Sequence, residues 1–187
     1  GSVSFLFFTY SYEVVYIWTS SLLLAEELKL LVEFLSLSSL LIAMLYSPYN
    51  FLIAKGITNP ILVLNISGLI IILPSIFYLV PIYGAIGIIL VKIILDILRF
   101  FVYSILLKKY FSKLNLLGFY KENLIPLIGP LFIIQLSTFI SIDPMSNKYL
   151  FIIYFALIYL VSFSIAVTLS SSIKTKLKEY ILQRSNI

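Results

Sequence analysis

The chain has 187 residues, 61% of them hydrophobic and only 11% charged, with 13 Lys and Arg against 8 Asp and Glu for a net charge of +5. That balance excludes a water-soluble globule and predicts an all-α polytopic membrane protein with no room for a separate soluble domain. Cys and His are both absent, which rules out disulfides, thiolate chemistry and the commonest metal ligand, so neither a metal nor another cofactor is expected.

Breakers along the chain divide it into six expected spans, at about 3–18, 28–54, 61–79, 85–107, 124–142 and 149–172, followed by a basic tail over 173–187. The opening Gly1-Ser2 carries neither the basic region nor the small-residue cleavage site of a signal peptide, and the first run is barely long enough to cross, so further helices are expected upstream. Tyr10, Tyr12, Tyr16 and Trp18 form an aromatic belt at the end of that first span, before a polar turn at 19–21. The second span contains Pro48 and should bend there. Next comes a compact reversal in which Gly56 suits a helix C-terminus, Asn59 a cap and Pro60 a first helical position. Pro74 interrupts the third span and Pro81-Ile82-Tyr83-Gly84 turns the chain again. A basic loop with Lys108, Lys109, Lys113 and Lys121 precedes the fifth span, which contains Pro126, Gly129 and Pro130 and is closed by Asp143-Pro144.

Lys and Arg collect on the cytoplasmic side of short loops. Here the connections after the second, fourth and sixth spans carry Lys55, the Lys108 to Lys121 cluster and the basic tail, while the others offer only Lys29 and Lys148. Both ends of the chain are therefore expected in the cytoplasm, with the tail an interfacial helix touching anionic headgroups. Glu33 pairs naturally with Lys29 at i, i+4, as a solvated or interfacial pair.

The fourth span carries Lys92, Asp96 and Arg99 in an otherwise apolar stretch. At about 100° per residue the steps of four and three put all three on one face, where Asp96 can pair with either cation. Ionisable groups inside a span usually face a polar cavity or one another. Two cations against one anion leave a net positive charge that in a low-dielectric cavity attracts a phosphate or diphosphate, and Asp96 can also take a coupling proton. The structural alternative is an ion-paired network that fixes helix register and never meets substrate. Ser36, Ser38 and Ser39, Asn65 and Ser67, and Gln135, Ser137 and Thr138 are candidates for lining the same cavity, although hydrogen bonding between helices explains them equally well.

A helix ending in LLIAMLYSPYNFLIAKG, then ILVLNISGLIIILPSIFYLV, then PIYGAIGIILVKII and a lysine pair resembles the carboxy-terminal half of the Wzx-type flippases. These polysaccharide-biosynthesis exporters belong to a superfamily with the multidrug and toxin extrusion antiporters and the lipid II flippases. Upstream, YEVVYIWTSSLLLAEELKLLVEFLSL is similar to the family's outer turn and following helix, except that Thr19-Ser20-Ser21 stands where that turn usually carries a glycine. The resemblance implies two lobes totalling about twelve to fourteen helices, this chain supplying one lobe and a missing amino-terminal lobe the other, with a substrate path between them.

By that implication the chain is a transporter rather than an enzyme. It would move a polyprenyl-diphosphate-linked oligosaccharide across the cell membrane by alternating access. Lys92 and Arg99 would contact the diphosphate or acidic sugars while Asp96 holds them, Asn65 and Gln135 would contact sugar hydroxyls, and Pro48, Pro74, Pro126 and Pro130 would act as gating kinks or as static bends. Its partners would be this lipid-linked glycan, membrane lipids and the missing lobe, with no nucleic acid. A cation-coupled drug antiporter of the same fold would call for a cavity rich in acids. A membrane-embedded glycan-processing enzyme would call for a large outer loop bearing acidic or histidine catalysts.

Overall fold

The computed structural model describes residues 1–111, 115–140 and 144–170. Lys113, Asp143 and the tail lie outside them. The described residues form six helices and no strand: α1 (Ser2–Thr9), α2 (Ser11–Thr19), α3 (Leu22–Ala54), α4 (Asn59–Tyr110), α5 (Leu116–Ser137) and α6 (Lys148–Leu169). Three of them, α3, α5 and α6, are long and apolar enough to cross a membrane as continuous helices. Their outward faces carry large apolar side chains such as Leu35, Phe132 and Ile153, the pattern of helices whose surroundings are not water.

The first expected span is not one helix. It breaks at Tyr10, which leaves helical geometry at φ −110°, ψ 33° and separates α1 from α2. The break coincides with a tertiary bond, because the Tyr10 hydroxyl lies 2.8 Å from Ser137 Oγ on α5. After α2 the chain reverses through Ser20, whose φ of 55° is left-handed. Ser21 then caps α3 by accepting from the Leu24 N–H, so that helix starts at Leu22 rather than 28.

The other end of α3 closes in a Schellman motif. The Gly56 N–H bonds the Ile53 carbonyl at 2.8 Å and the Ile57 N–H bonds the Leu52 carbonyl at 3.0 Å, with Gly56 at φ 75°. Thr58, not Asn59, occupies the N-cap of α4, and Asn59 is its first helical residue.

The turn expected at 81–84 narrows to one residue. Helical geometry runs through Pro81 and Tyr83, and only Gly84 departs from it, at φ 60°, ψ −152°, a region essentially closed to any residue with a Cβ. Around Gly84 the two arms of α4 fold back on each other. A Cβ on Gly68 would lie 2.8 Å from Arg99 Nη2, although a straight helix would separate these positions by about 46 Å. Beside the turn, a Cβ on Gly87 would come within 3.1 Å of Leu79 Cβ, so the absence of a side chain there lets the arms close up.

Two apolar clusters hold the helices. The first gathers Leu6, Tyr10, Ile134, Phe151 and Ile158, with Phe155 and Tyr154 packed against them. The second gathers Leu45, Leu52, Ile61, Tyr103 and Leu107, and the Phe51 ring meets that of Phe111 edge-on at 4.9 Å. The second cluster brings the end of α3 and both ends of α4 together, so Lys55, Lys108 and Lys109 share one end of the molecule. At the opposite end Lys148 Nζ donates to Ser20 Oγ at 3.0 Å.

The remaining helices also differ in extent from the sequence expectation. α5 begins at Leu116, capped by the Asn115 side chain on the Gly118 N–H, and so takes in Lys121. It ends at Ser137 rather than 142, and α6 runs over Lys148–Leu169. Pro48, Pro74, Pro126 and Pro130 all sit inside continuous helix, with Pro48 and Pro130 buried.

Candidate functional site

The second arm of α4 presents Lys92, Asp96 and Arg99 toward α3, where Ser38 meets them. The Asp96 side chain is wholly inaccessible, whereas those of Lys92 and Arg99 keep 34% and 24% of their exposure. Asp96 engages both neighbours at once. Its Oδ1 accepts from Arg99 Nη1 at 2.9 Å, and its Oδ2 accepts from Lys92 Nζ at 2.9 Å and from Ser38 Oγ at 3.4 Å. Lys92 Nζ also donates to Ser38 Oγ. A carboxylate taken out of water requires this degree of pairing, since an isolated buried charge is strongly disfavoured.

The two cations are spent differently. Two of the three Lys92 ammonium protons are committed, one to Asp96 and one to Ser38. Arg99 gives only Nη1 to Asp96 and keeps the rest of its five N–H donors. Asp96 bonds both cations at 2.9 Å, so the three side chains share one net positive charge. The Arg99 guanidinium rests against Gly68 on the other arm.

Arg99 and Asp96 line a cavity of about 270 Å³ between α3 and α4, together with Asn65, Tyr46, Tyr49 and Tyr103. Lys92 is not among its lining residues. Of the amides singled out from the sequence, Asn65 therefore stands beside Arg99. Gln135 does not: it lines a separate cavity of about 360 Å³ with Phe5, Phe8 and Thr9 of α1 and with Thr138, which caps α5.

The hydroxyls divide in the same way. Ser38 joins the charged cluster, while Ser39, Ser67 and Thr138 bond carbonyls of their own helices. Ser36 lines a small apolar cavity with Ser4 and Phe5. Ser137 lies in the first apolar cluster against Tyr10. Glu33, besides Lys29 at 3.9 Å, accepts from the buried Ser11 hydroxyl at 3.1 Å and so ties α2 to α3.

Sequence reasoning did not single out Tyr103 or Gly68 as part of the site. The available signal was helical spacing: Tyr103 is four residues beyond Arg99, and Gly68 three beyond Asn65. Among the described residues no group of three or more acidic side chains is placed to hold a metal ion. Comparison with family models, with curated proteins and with solved structures finds no match, so the fold and the site carry the functional argument.

Proposed function

We propose that the chain forms one lobe of an exporter that moves a polyprenyl-diphosphate-linked oligosaccharide across the cell membrane by alternating access. In this reading it makes six crossings: α1 with α2, α3, the two arms of α4, α5 and α6. Lys55, Lys108 and Lys109 gathered at one end support a cytoplasmic placement of that end. A second lobe, membrane lipids and the lipid-linked glycan are its partners.

The observation that carries the reading is the uneven use of the two cations. Two cations on one buried carboxylate leave a net positive charge, and of the two only Arg99 opens onto the cavity, an arrangement suited to a phosphate or diphosphate held by charge-assisted hydrogen bonds. Arg99 is the principal anion contact, and Lys92 with Asp96 and Ser38 sets its position. A drug antiporter is less well supported, because the one carboxylate lining this cavity is already matched by two cations. Pro48, adjoining the cavity between Tyr46 and Tyr49, lacks the N–H that would hold the Met44 carbonyl. It is the proline best placed to let the cavity change shape, since none of Pro74, Pro126 and Pro130 is flanked in sequence by residues that line it.

The test is flipping of a diphosphate-linked glycan by the full-length protein in vesicles. Arg99→Gln removes a charge-assisted contact and should weaken binding by about 2 kcal/mol. Lys92→Gln should lose less, and Lys92→Arg should keep part of the activity. Wild-type flipping by Arg99→Gln at normal expression would sink the assignment and leave the charges as a structural ion-paired element.

A further inference from the structure

The cavity beside Arg99 contains more than an anion needs. Three tyrosines, 46, 49 and 103, line it with the Asn65 amide. Tyr103 is only 3% exposed, and no hydrogen bond to its hydroxyl exists among the described residues. The Asn65 amide likewise has no partner among them. Both groups open onto the cavity, Asn65 from an exposed position on α4, so each is free to bond a ligand placed there. The rings of Tyr49 and Tyr103 stand 6.4 Å apart and tilted by 45°, presenting two aromatic surfaces at an angle. At about 270 Å³ the space lies just under the range of drug-sized pockets, which suits a single ring or headgroup.

Resting on the reading of Arg99 as the diphosphate contact, we infer that Tyr46, Tyr49, Tyr103 and Asn65 form a subsite for one sugar ring next to that anion. Aromatic faces cover the apolar C–H surface of a pyranose. Asn65 offers both a donor and an acceptor to its hydroxyls, and the Tyr103 hydroxyl offers one of each. The net positive charge of the cluster disfavours a cationic ligand in the same space, and an acyl chain would offer neither polar group a partner. The protein would therefore discriminate by the sugar attached to the phosphate, and not only by the charge of the carrier.

Binding by the full chain in nanodiscs decides the matter, using polyprenyl diphosphate alone and the same carrier bearing a hexose, a 6-deoxyhexose or an N-acetylhexosamine. At least one sugar-bearing carrier should bind about tenfold more tightly than the bare carrier, as expected for one or two net hydrogen bonds. Tyr103→Phe, which removes only the hydroxyl, and Asn65→Leu should each reduce that ratio by about fivefold, while Arg99→Gln should weaken both kinds of carrier and preserve the ratio. If no sugar improves on the bare carrier, or if neither variant changes the ratio, the subsite is overturned and the anion contact stands. If the bare carrier binds Arg99→Gln as well as it binds the wild type, the diphosphate reading falls as well.

Discussion

The two apolar clusters solve the same packing problem by different means. Around Tyr10, Ile134, Phe151 and Phe155 the helices are joined by neutral groups alone. Tyr10 meets Phe151 and Phe155 edge-on at 5.9 and 6.1 Å and shares a hydrogen bond with Ser137, and the Tyr154 hydroxyl donates to the carbonyls of Ser137 and Ile140. Between α3 and α4 the helices are joined by apolar packing and, in addition, by a carboxylate with two cations. Aromatic contacts and hydroxyl bonds thus suffice to hold helices together in this chain. Three charges are not needed for that purpose, and a buried ion pair is weak evidence of stabilisation. The difference teaches that the charged cluster calls for an explanation other than packing.

The largest expected effect tests this contrast directly. Asp96→Ala would leave two cations facing each other without their shared anion, at a cost of about 3–5 kcal/mol, read as loss of folded protein on denaturant titration in mixed micelles. Tyr10→Phe, the corresponding change on the neutral side, removes one hydrogen bond and should cost about 1 kcal/mol. Equal losses would show that the two regions are held alike.

A smaller pair of changes sharpens the comparison at two glycines. A Cβ at Gly129 would overlap the side chains of Ile165 and Leu169 on α6, so Gly129→Ala should cost about 1–3 kcal/mol by overpacking. At Gly68 the obstacle is the far end of the Arg99 side chain, which can swing aside. Gly68→Ala should therefore leave the melting temperature within a few degrees while lowering glycan flipping, because it pushes the guanidinium out of place. A reversal of these outcomes would mean that Arg99 is structural and Gly129 is not a packing site.

The smallest expected effect lies in the turn between α2 and α3. Ser20 holds a left-handed conformation that disfavours a residue with a Cβ by about 1 kcal/mol or more. Ser20→Gly relieves this but forfeits the exposed bond from Lys148, so a net gain of about 0.5 kcal/mol is expected. A loss on thermal unfolding would show that the Lys148 bond outweighs the backbone term.

How much of this was legible in the sequence depended on how local its causes were. The end of α3 followed from Gly56, and the charged face from the spacing of positions 92, 96 and 99. The break at Tyr10 has no local sign, for no glycine or proline stands there and the bond that accompanies it comes from Ser137. The start of α5 differs because Lys121 reads as loop, whereas a helix that outruns its apolar stretch carries such a charge on its end. Pro81 read as a turn residue, yet a proline in the last helical turn before Gly84 interrupts little, and the reversal needed only the glycine. The division between Asn65 and Gln135 was invisible in principle, since each is an isolated amide on an apolar helix and only the packing of α4 on α3 and of α1 on α5 assigns them to different cavities.

The fold-back at Gly84 also orders the assembly of the molecule in time. Arg99 and Gly68 are 31 positions apart on the two arms of α4, so the hairpin that seats the guanidinium can close as soon as α4 has been synthesised, and Ser38 on the preceding helix is already present. The Tyr10 to Ser137 bond spans 127 positions and must wait for α5, with its aromatic surroundings waiting for α6. Contacts of short sequence separation form first. The charged site, whose cavity is lined by α3 and α4 alone, is thus complete while the neutral cluster is still open.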